Sequence, residues 1–300
     1  MPAVSVVIPA WNCAPLLERA LRSVAAQTVL GQVPIEVIVV DDGSTDDTAE
    51  RVRALARELP LPVRYIWQEN AGPAAARNRA LAVATGELVA FLDADDTWRP
   101  AKLEKQLPLF EQPSVGLVHC DIAFADADGA PLDDHGRRIV LLEGDILFAL
   151  FCEFFLLTSS VVMRRELVVR EGGFREDLPV GEDYDFFLRV LRHCHAAVAR
   201  EKLLVRTVRP DSLSRQDFVL DAVVDMATLR RFVEENPDFA AAHPRAISRR
   251  FAGYHMDFAY TLLQRGYRRR SIGQILRSLW RAPGVRAAKL LVRAMLPVRP

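Results

Sequence analysis

The stretch Phe91 to Asp96 (FLDADD) places three carboxylates, Asp93, Asp95 and Asp96, within four positions at the end of the apolar run Leu88 to Leu92. Side chains alternate faces along an extended chain, so Asp93 and Asp95 are expected to point the same way. Two carboxylates on one side repel unless a positive charge lies between them. Clustered carboxylate oxygens suit hard divalent cations, Mg²⁺ or Mn²⁺, and such ions usually come with a phosphate. The chemistry predicted is a metal-assisted reaction on a phosphorylated or nucleotide substrate. Two more acidic pairs follow structural signals of their own: Asp41-Asp42 closes the apolar run from Val37, and Glu182-Asp183 follows Gly181.

Such residues need strand ends and helix starts to hold them. Val4 to Ala10, Ile35 to Val40, Val63 to Trp67 and Glu87 to Leu92 read as strands. Leu16, Leu17, Ala20, Leu21 and Val24 recur at helical spacing, with Asn12 as the expected cap and Pro15 in the first turn. Gly43 to Thr48 (GSTDDT) opens a second helix, with Ser44 or Thr45 as cap and Asp46 and Asp47 at its positive end. This alternation, through about residue 110, predicts an α/β fold with a mainly parallel sheet covered on both faces. Ligands bind such sheets beyond the carboxyl ends of the strands, where Pro9 to Asn12, Asp41, Asp42 and Asp93 to Asp96 fall. Val115 to Phe124 reads as a further strand, and Asp126-Ala127-Asp128-Gly129 as a turn rather than a second metal motif.

Half of the 300 residues are hydrophobic and 26% are charged, as in a globular chain with a sizeable core. The four cysteines, Cys13, Cys120, Cys152 and Cys194, are far apart, which argues against a disulfide framework or a zinc knuckle and fits a reducing cytoplasm. The N-terminus lacks the basic and apolar regions of a signal peptide. The most apolar stretch, Ile146 to Leu157, is interrupted by Glu153 and is shorter than the roughly 20 residues a spanning helix needs. The expected location is cytoplasmic, either free or peripheral at the inner face of the membrane.

Zero net charge hides an asymmetry. Residues 241–300 carry 13 Arg and Lys against a single acid, Asp257, so the rest of the chain is acidic. After about residue 215 helical patterns dominate. Ile272, Ile275, Leu276, Leu279 and Trp280 follow the spacing of an amphipathic helix among arginines. Two readings stay open: a helix lying on an anionic membrane surface, or an apolar face packed on the acidic body with its arginines solvated. Nucleic acid is not an expected partner, because aromatic platforms are lacking.

The chain resembles a family 2 glycosyltransferase with the inverting GT-A fold. The matching stretches are VSVVIPAWN (Val4 to Asn12), ALRSVAAQT (Ala20 to Thr28), VIVVDDGSTDDT (Val37 to Thr48), NAGPAAARNRAL (Asn70 to Leu81) and GELVAFLDADDTW (Gly86 to Trp98). TSSVVMRRELVVREGGF (Thr158 to Phe174), GEDYDFFLRVL (Gly181 to Leu191) and RPDSLSR (Arg209 to Arg215) complete the series in the family's order. The resemblance implies a catalytic domain over residues 1–215, with a donor-binding half to about 110 and an acceptor-binding half from about 111. It does not extend to the helical, basic region 216–300.

The resemblance also implies roles. Asp42 would accept a hydrogen bond from the base of a nucleotide-sugar donor, a carboxylate suiting the imide N–H of uracil. Trp11 stands where the family more often has tyrosine and would stack on that base, with Pro9 and Asn12 beside it. Asp95 would ligate Mn²⁺ or Mg²⁺, and Asp93 would hold the ribose or a metal-bound water. Asp41, Asn78 and Asp96 would support the site. Arg77 would contact a phosphate or sugar, or else sit on a helix surface. Asp183 would be the general base toward a sugar or lipid-linked glycan acceptor, beside Glu182, with the helix terminus keeping it ionised. Arg209, Ser212 and Ser214 would lie on a loop closing over the diphosphate, and Gly172-Gly173 would turn under the acceptor.

Two rival functions are open to test. Asp93-Ala94-Asp95-Asp96-Thr97 resembles the nucleophile loop of haloacid-dehalogenase phosphatases, although that loop should follow the first strand and here three strand candidates precede it. A non-catalytic nucleotide-sugar-binding module would lack the base that Asp183 supplies.

Overall fold

The computed structural model describes residues 2–133, 139–209 and 218–295. The elements in chain order are β1 (Val4–Ala10), α1 (Ala14–Ala25), β2 (Ile35–Asp42), α2 (Thr48–Glu58), β3 (Val63–Gln68), α3 (Pro73–Leu81), β4 (Leu88–Phe91) and β5 (Thr97–Trp98). Then come α4 (Lys102–Gln106), β6 (Val115–Ala125), β7 (Pro131–Leu132), α5 (Leu147–Cys152), β8 (Val162–Arg164), α6 (Arg165–Arg170), α7 (Glu182–Val190) and β9 (His195–Thr207). Among the described residues five helices follow: α8 (Phe218–Glu235), α9 (Pro237–Ala242), α10 (Pro244–Gln264), α11 (Arg268–Arg281) and α12 (Val285–Met295).

The strands form one sheet in the order β3-β2-β1-β4-β8-β6-β9-β5, with β7 paired to β6. β3, β2, β1 and β4 run parallel, as the strand–helix alternation predicts. Beyond β4 the sheet is mixed: β8 is antiparallel to both β4 and β6, and β9 is parallel to β6 but antiparallel to β5. Val6, Ile8, Val37 and Val39 are buried, because helices cover both faces and leave no alternation to read.

The long strand β9 is hidden in the sequence for a physical reason. Its register against β6 jumps from Cys120 opposite Ala199 to Asp121 opposite Lys202. The bulge leaves exposed Arg200 and Glu201 in mid-strand, which breaks the apolar pattern. The Asp126 turn forms as expected: Asp126 accepts from the backbone N–H groups of Asp128 and Ala130, and β6 folds back onto β7.

Helix capping departs from expectation. Asn12 does not cap α1, and neither Ser44 nor Thr45 caps α2. Asp46 serves both helices, accepting from Ala14 N at 3.2 Å and from Thr48 N at 3.1 Å.

The chain forms two compact units, Met1–Arg215 and Gln216–Pro300. In the second, Ala259 of α10, Ile275 of α11, and Ala287, Leu290 and Ala294 of α12 form a small core, with Ile272 and Leu279 packed against it. The apolar stripe read along α11 is therefore split. Ile272, Ile275 and Leu279 are covered by neighbouring helices of the same unit, whereas Leu276 and Trp280 face outward. Buried Ser271 and Ser278 complete the packed face by donating to the carbonyls of Ala259 and Ala252. Among the described residues no helix is long and apolar enough to cross a membrane.

Candidate active site

The carboxyl ends of β1 and β2 are stitched into one rim. Asn12 adopts a left-handed φ of 47°, which lets its N–H donate to Ser44 Oγ at 2.9 Å while its Oδ1 accepts from Thr45 N at 2.8 Å. Pro9 lies opposite Val40 one residue before β1 ends, and Trp11 beyond it is 54% exposed, its indole open to solvent. Asp41 is buried and accepts from Ser44 N and the Tyr65 hydroxyl. Asp42 Oδ1 accepts from Gln68 Nε2 at 2.7 Å and Ala71 N at 2.9 Å, and its Oδ2 accepts from Gly72 N at 2.8 Å. Both aspartates thus shape loops. An ionised carboxylate has about four acceptor sites, so Asp42 Oδ2 retains room for one more donor.

The strand β4 ends at Phe91, before the acidic run, and the chain then turns, with Asp96 N donating to the Asp93 carbonyl. Strand alternation therefore does not place Asp93 and Asp95; the turn does. Burial and the neighbouring Asp93 charge push the Asp95 carboxyl above its ordinary value, against the pull of Arg209 and Arg206. Asp96 is buried and pushed up to about 8 by burial, then by Asp95 and Asp93. It accepts from Thr207 N at 3.0 Å and so anchors the end of β9.

Asp93 and Asp95 fit a divalent cation chemically. They supply hard oxygen donors, and burial followed by the Asp93 charge raises the Asp95 carboxyl, both of which a nearby cation would oppose. Among the described residues no group of three metal-ligating side chains is assembled. A small hard cation commonly takes one or two carboxylates and completes its shell from substrate phosphates and water, and this donor set matches that pattern.

The pair Glu182-Asp183 opens α7, whose N-cap Gly181 is left-handed at φ 71° and offers no side-chain cap. Asp183 Oδ2 accepts from Thr158 Oγ1 at 3.2 Å, and its Oδ1 accepts from Tyr184 N. Burial, then the Glu182 charge, push Asp183 up to about 7, against Arg77 and the Tyr184 amide. The helix terminus thus does not hold this carboxyl fully ionised, contrary to the sequence expectation; desolvation outweighs it.

Arg77 lies on neither a surface nor an open phosphate site. It is 5% exposed, and its two terminal nitrogens meet Asp93 Oδ1 at 2.8 Å and Glu182 Oε1 at 2.7 Å. Its guanidinium lies over the Phe174 ring, 5.3 Å from the centroid, and its Nε has no partner. Asn78, one residue on, clamps the backbone of Phe174: Nδ2 donates to its carbonyl and Oδ1 accepts from its N–H. The Gly172-Gly173 turn therefore seats on α3, and a Cβ at Gly173 would strike Asn78 Oδ1.

The turn Thr158–Ser160 was not singled out by sequence chemistry, yet it links the two acidic centres. Thr158 bonds Asp183, and Ser159 Oγ accepts from Asp93 N at 3.0 Å and bonds Asp96. Its signals were the polar triplet Thr-Ser-Ser ahead of an apolar run and its place at the head of the family-matching stretch Thr158 to Phe174. Arg209 is close enough to lower Asp95. Ser212 and Ser214 lie outside the described residues.

Residues 5–170 match the sequence profile of glycosyl transferase family 2. The chain belongs to this family. The succinoglycan biosynthesis protein ExoU of Rhizobium meliloti is 34% identical over 73% of this chain and 66% of its own. The putative teichuronic acid biosynthesis glycosyltransferase TuaG of Bacillus subtilis is 39% identical over 44% of this chain and 51% of its own. The matched region thus spans about half to two thirds of these relatives. Among solved structures, residues 1–349 of Staphylococcus aureus TarS superpose with a TM-score of 0.64 at 22% identity, covering 96% of this chain and 83% of that one. The mannosyltransferase PcManGT of Pyrobaculum calidifontis, solved with GDP-Man and Mn²⁺, gives a TM-score of 0.61 at 24% identity, covering 97% and 79%. The fold of this family 2 member is GT-A. The phosphatase reading is not favoured: the acidic turn follows β4, three strands too late.

Proposed function

We propose that this protein transfers a sugar from a nucleotide-sugar donor, a UDP-sugar, to an acceptor hydroxyl with inversion. The observation that carries the proposal is the buried guanidinium of Arg77, which joins Asp93 of the donor-side turn to Glu182 beside the base. Asp42 and Trp11 would take the base, and Asp93 and Asp95 would face the diphosphate. A Mg²⁺ or Mn²⁺ ion held by Asp95, with Asp93 beside it, would stabilise charge on the departing nucleoside diphosphate. Asp183, poised near neutrality and oriented by Thr158, takes the acceptor proton as the acceptor oxygen bonds to the anomeric carbon and the bond to phosphate breaks.

The names of the succinoglycan and teichuronic acid relatives support a cell-surface polysaccharide or glycolipid product. A lipid-linked glycan acceptor would place the enzyme at the inner face of a membrane as a peripheral protein. The test is release of UDP from a panel of UDP-sugars with Mn²⁺ or Mg²⁺, after a thermal-shift screen to choose the donor. Phosphate release from sugar phosphates without UDP release, or full UDP release and glycan transfer by Asp183→Asn, would overturn the reading.

A further inference from the structure

We infer that the outward face of α11 and α12 docks on an anionic lipid surface, with Trp280, Val292 and their neighbours inserted among the headgroups. This deepens the reading of a lipid-linked acceptor by assigning residues to the surface. Helix α12 is apolar on two sides. Ala287, Leu290 and Ala294 fill the small core of the unit. On the other side Val285, Ala288, Val292 and Met295 form a second stripe at helical spacing, with Val285 71% and Met295 68% exposed. On α11, Leu276 and Trp280 lie one turn apart and outside the core, and Trp280 is 83% exposed. These side chains are surplus to packing.

Their surroundings select the occupant. From Arg268 to Met295 the sequence has eight Arg and Lys and no Asp or Glu. Arg277, Arg286, Lys289 and Arg293 are exposed beside the apolar stripes; of these, Arg286 also acts on Asp257 of α10. A second copy of the chain would press two acid-free cationic faces together, which is repulsive. A polynucleotide would match the charge but leave valine, leucine and methionine unused, and the stripes offer it one aromatic ring, Trp280, rather than a series of platforms. An anionic bilayer satisfies both features. Apolar side chains enter the acyl boundary, tryptophan suits the interface, and arginine and lysine stems reach back to lipid phosphates.

The experiment is sedimentation of the full chain, without donor, with phosphatidylcholine vesicles containing phosphatidylglycerol and with phosphatidylcholine alone. Binding is expected only to the anionic vesicles and should weaken with salt. Trp280→Glu and Val292→Glu should each lower the affinity roughly tenfold or more, and Trp280→Ser should lower it without adding charge. Melting temperature and vesicle-free UDP release should be unchanged in all three, which separates loss of docking from loss of fold or of catalysis. No binding to anionic vesicles, wild-type binding by Trp280→Ser, or a concentration-dependent dimer that Trp280→Glu abolishes would each overturn the inference.

Discussion

Arg77 on α3 holds Asp93, the first acid of the turn after β4, at 2.8 Å, and the same guanidinium reaches Glu182 at the start of α7 at 2.7 Å. The donor-side and base-side acidic motifs therefore share one buried cation. Arg77 stays charged because the attraction of Asp93 and Glu182 outweighs its desolvation.

Removing that cation should be costly. Arg77→Ala leaves two carboxylates facing a buried void, so a loss of about 3–5 kcal/mol in stability is expected. Arg77→Lys should restore only part of it, because one ammonium cannot reproduce the fork. Thermal or urea unfolding measures the first effect. UDP release by the lysine variant, down roughly 100-fold, measures the displacement of Asp93 and of Glu182 beside the base. Wild-type turnover in Arg77→Lys would show that the fork is dispensable.

The pH profile should carry the signature of Asp183. The base must be ionised, so kcat/KM should rise with pH and level off above about 7. Stability should run the other way. The folded carboxyl keeps its proton to a higher pH than in the unfolded chain, so its contribution is complete near pH 4 and falls as pH rises through about 7. Asp183→Asn should abolish transfer, raise the melting temperature above pH 7 by roughly 2–6 °C, and change it little at pH 4. Donor binding by thermal shift should persist.

Adjacent glycines should differ. Gly172 and Gly173 both have positive φ, 69° and 75°, but a Cβ at Gly172 meets open space whereas one at Gly173 meets Asn78 Oδ1. Gly172→Ala should cost about 1–2 kcal/mol from backbone strain alone. Gly173→Ala should cost about 1–3 kcal/mol more, and less of that extra in an Asn78→Ala background. Unfolding of the four proteins measures the cycle.

Metal and nucleotide should bind together. With only the neighbouring carboxylates Asp93 and Asp95 and no assembled three-ligand cluster among the described residues, Mn²⁺ alone should barely move the melting temperature. UDP with Mn²⁺ should raise it by several degrees, and chelation should reverse the rise. Asp95→Asn should remove the Mn²⁺-dependent part. A large shift from Mn²⁺ alone would point to a preformed cation site.

Much of the architecture is written locally. The apolar runs of β1, β2 and β4 are continuous because both faces of the sheet are covered, so strand–helix alternation declares the parallel half. The acidic turn announces itself by composition, and the motifs from Val4 to Arg215 identify the family. Other features depend on partners distant in the chain. Arg77 and Glu182 are 105 positions apart, and nothing around Arg77 distinguishes a surface arginine from a buried one. Thr158 acquires its meaning only where Asp183 folds over it. On α11 a single amphipathic pattern covers both packed and exposed residues, and α10 and α12 decide which are which. Sequence by itself determined the parallel strands β1 to β4, the family and the carboxylates, because periodicity and short motifs are local. Tertiary structure alone decided which charges meet, which carboxyl loses its water and which apolar side chains stay uncovered, because desolvation and pairing depend on what lies across the fold.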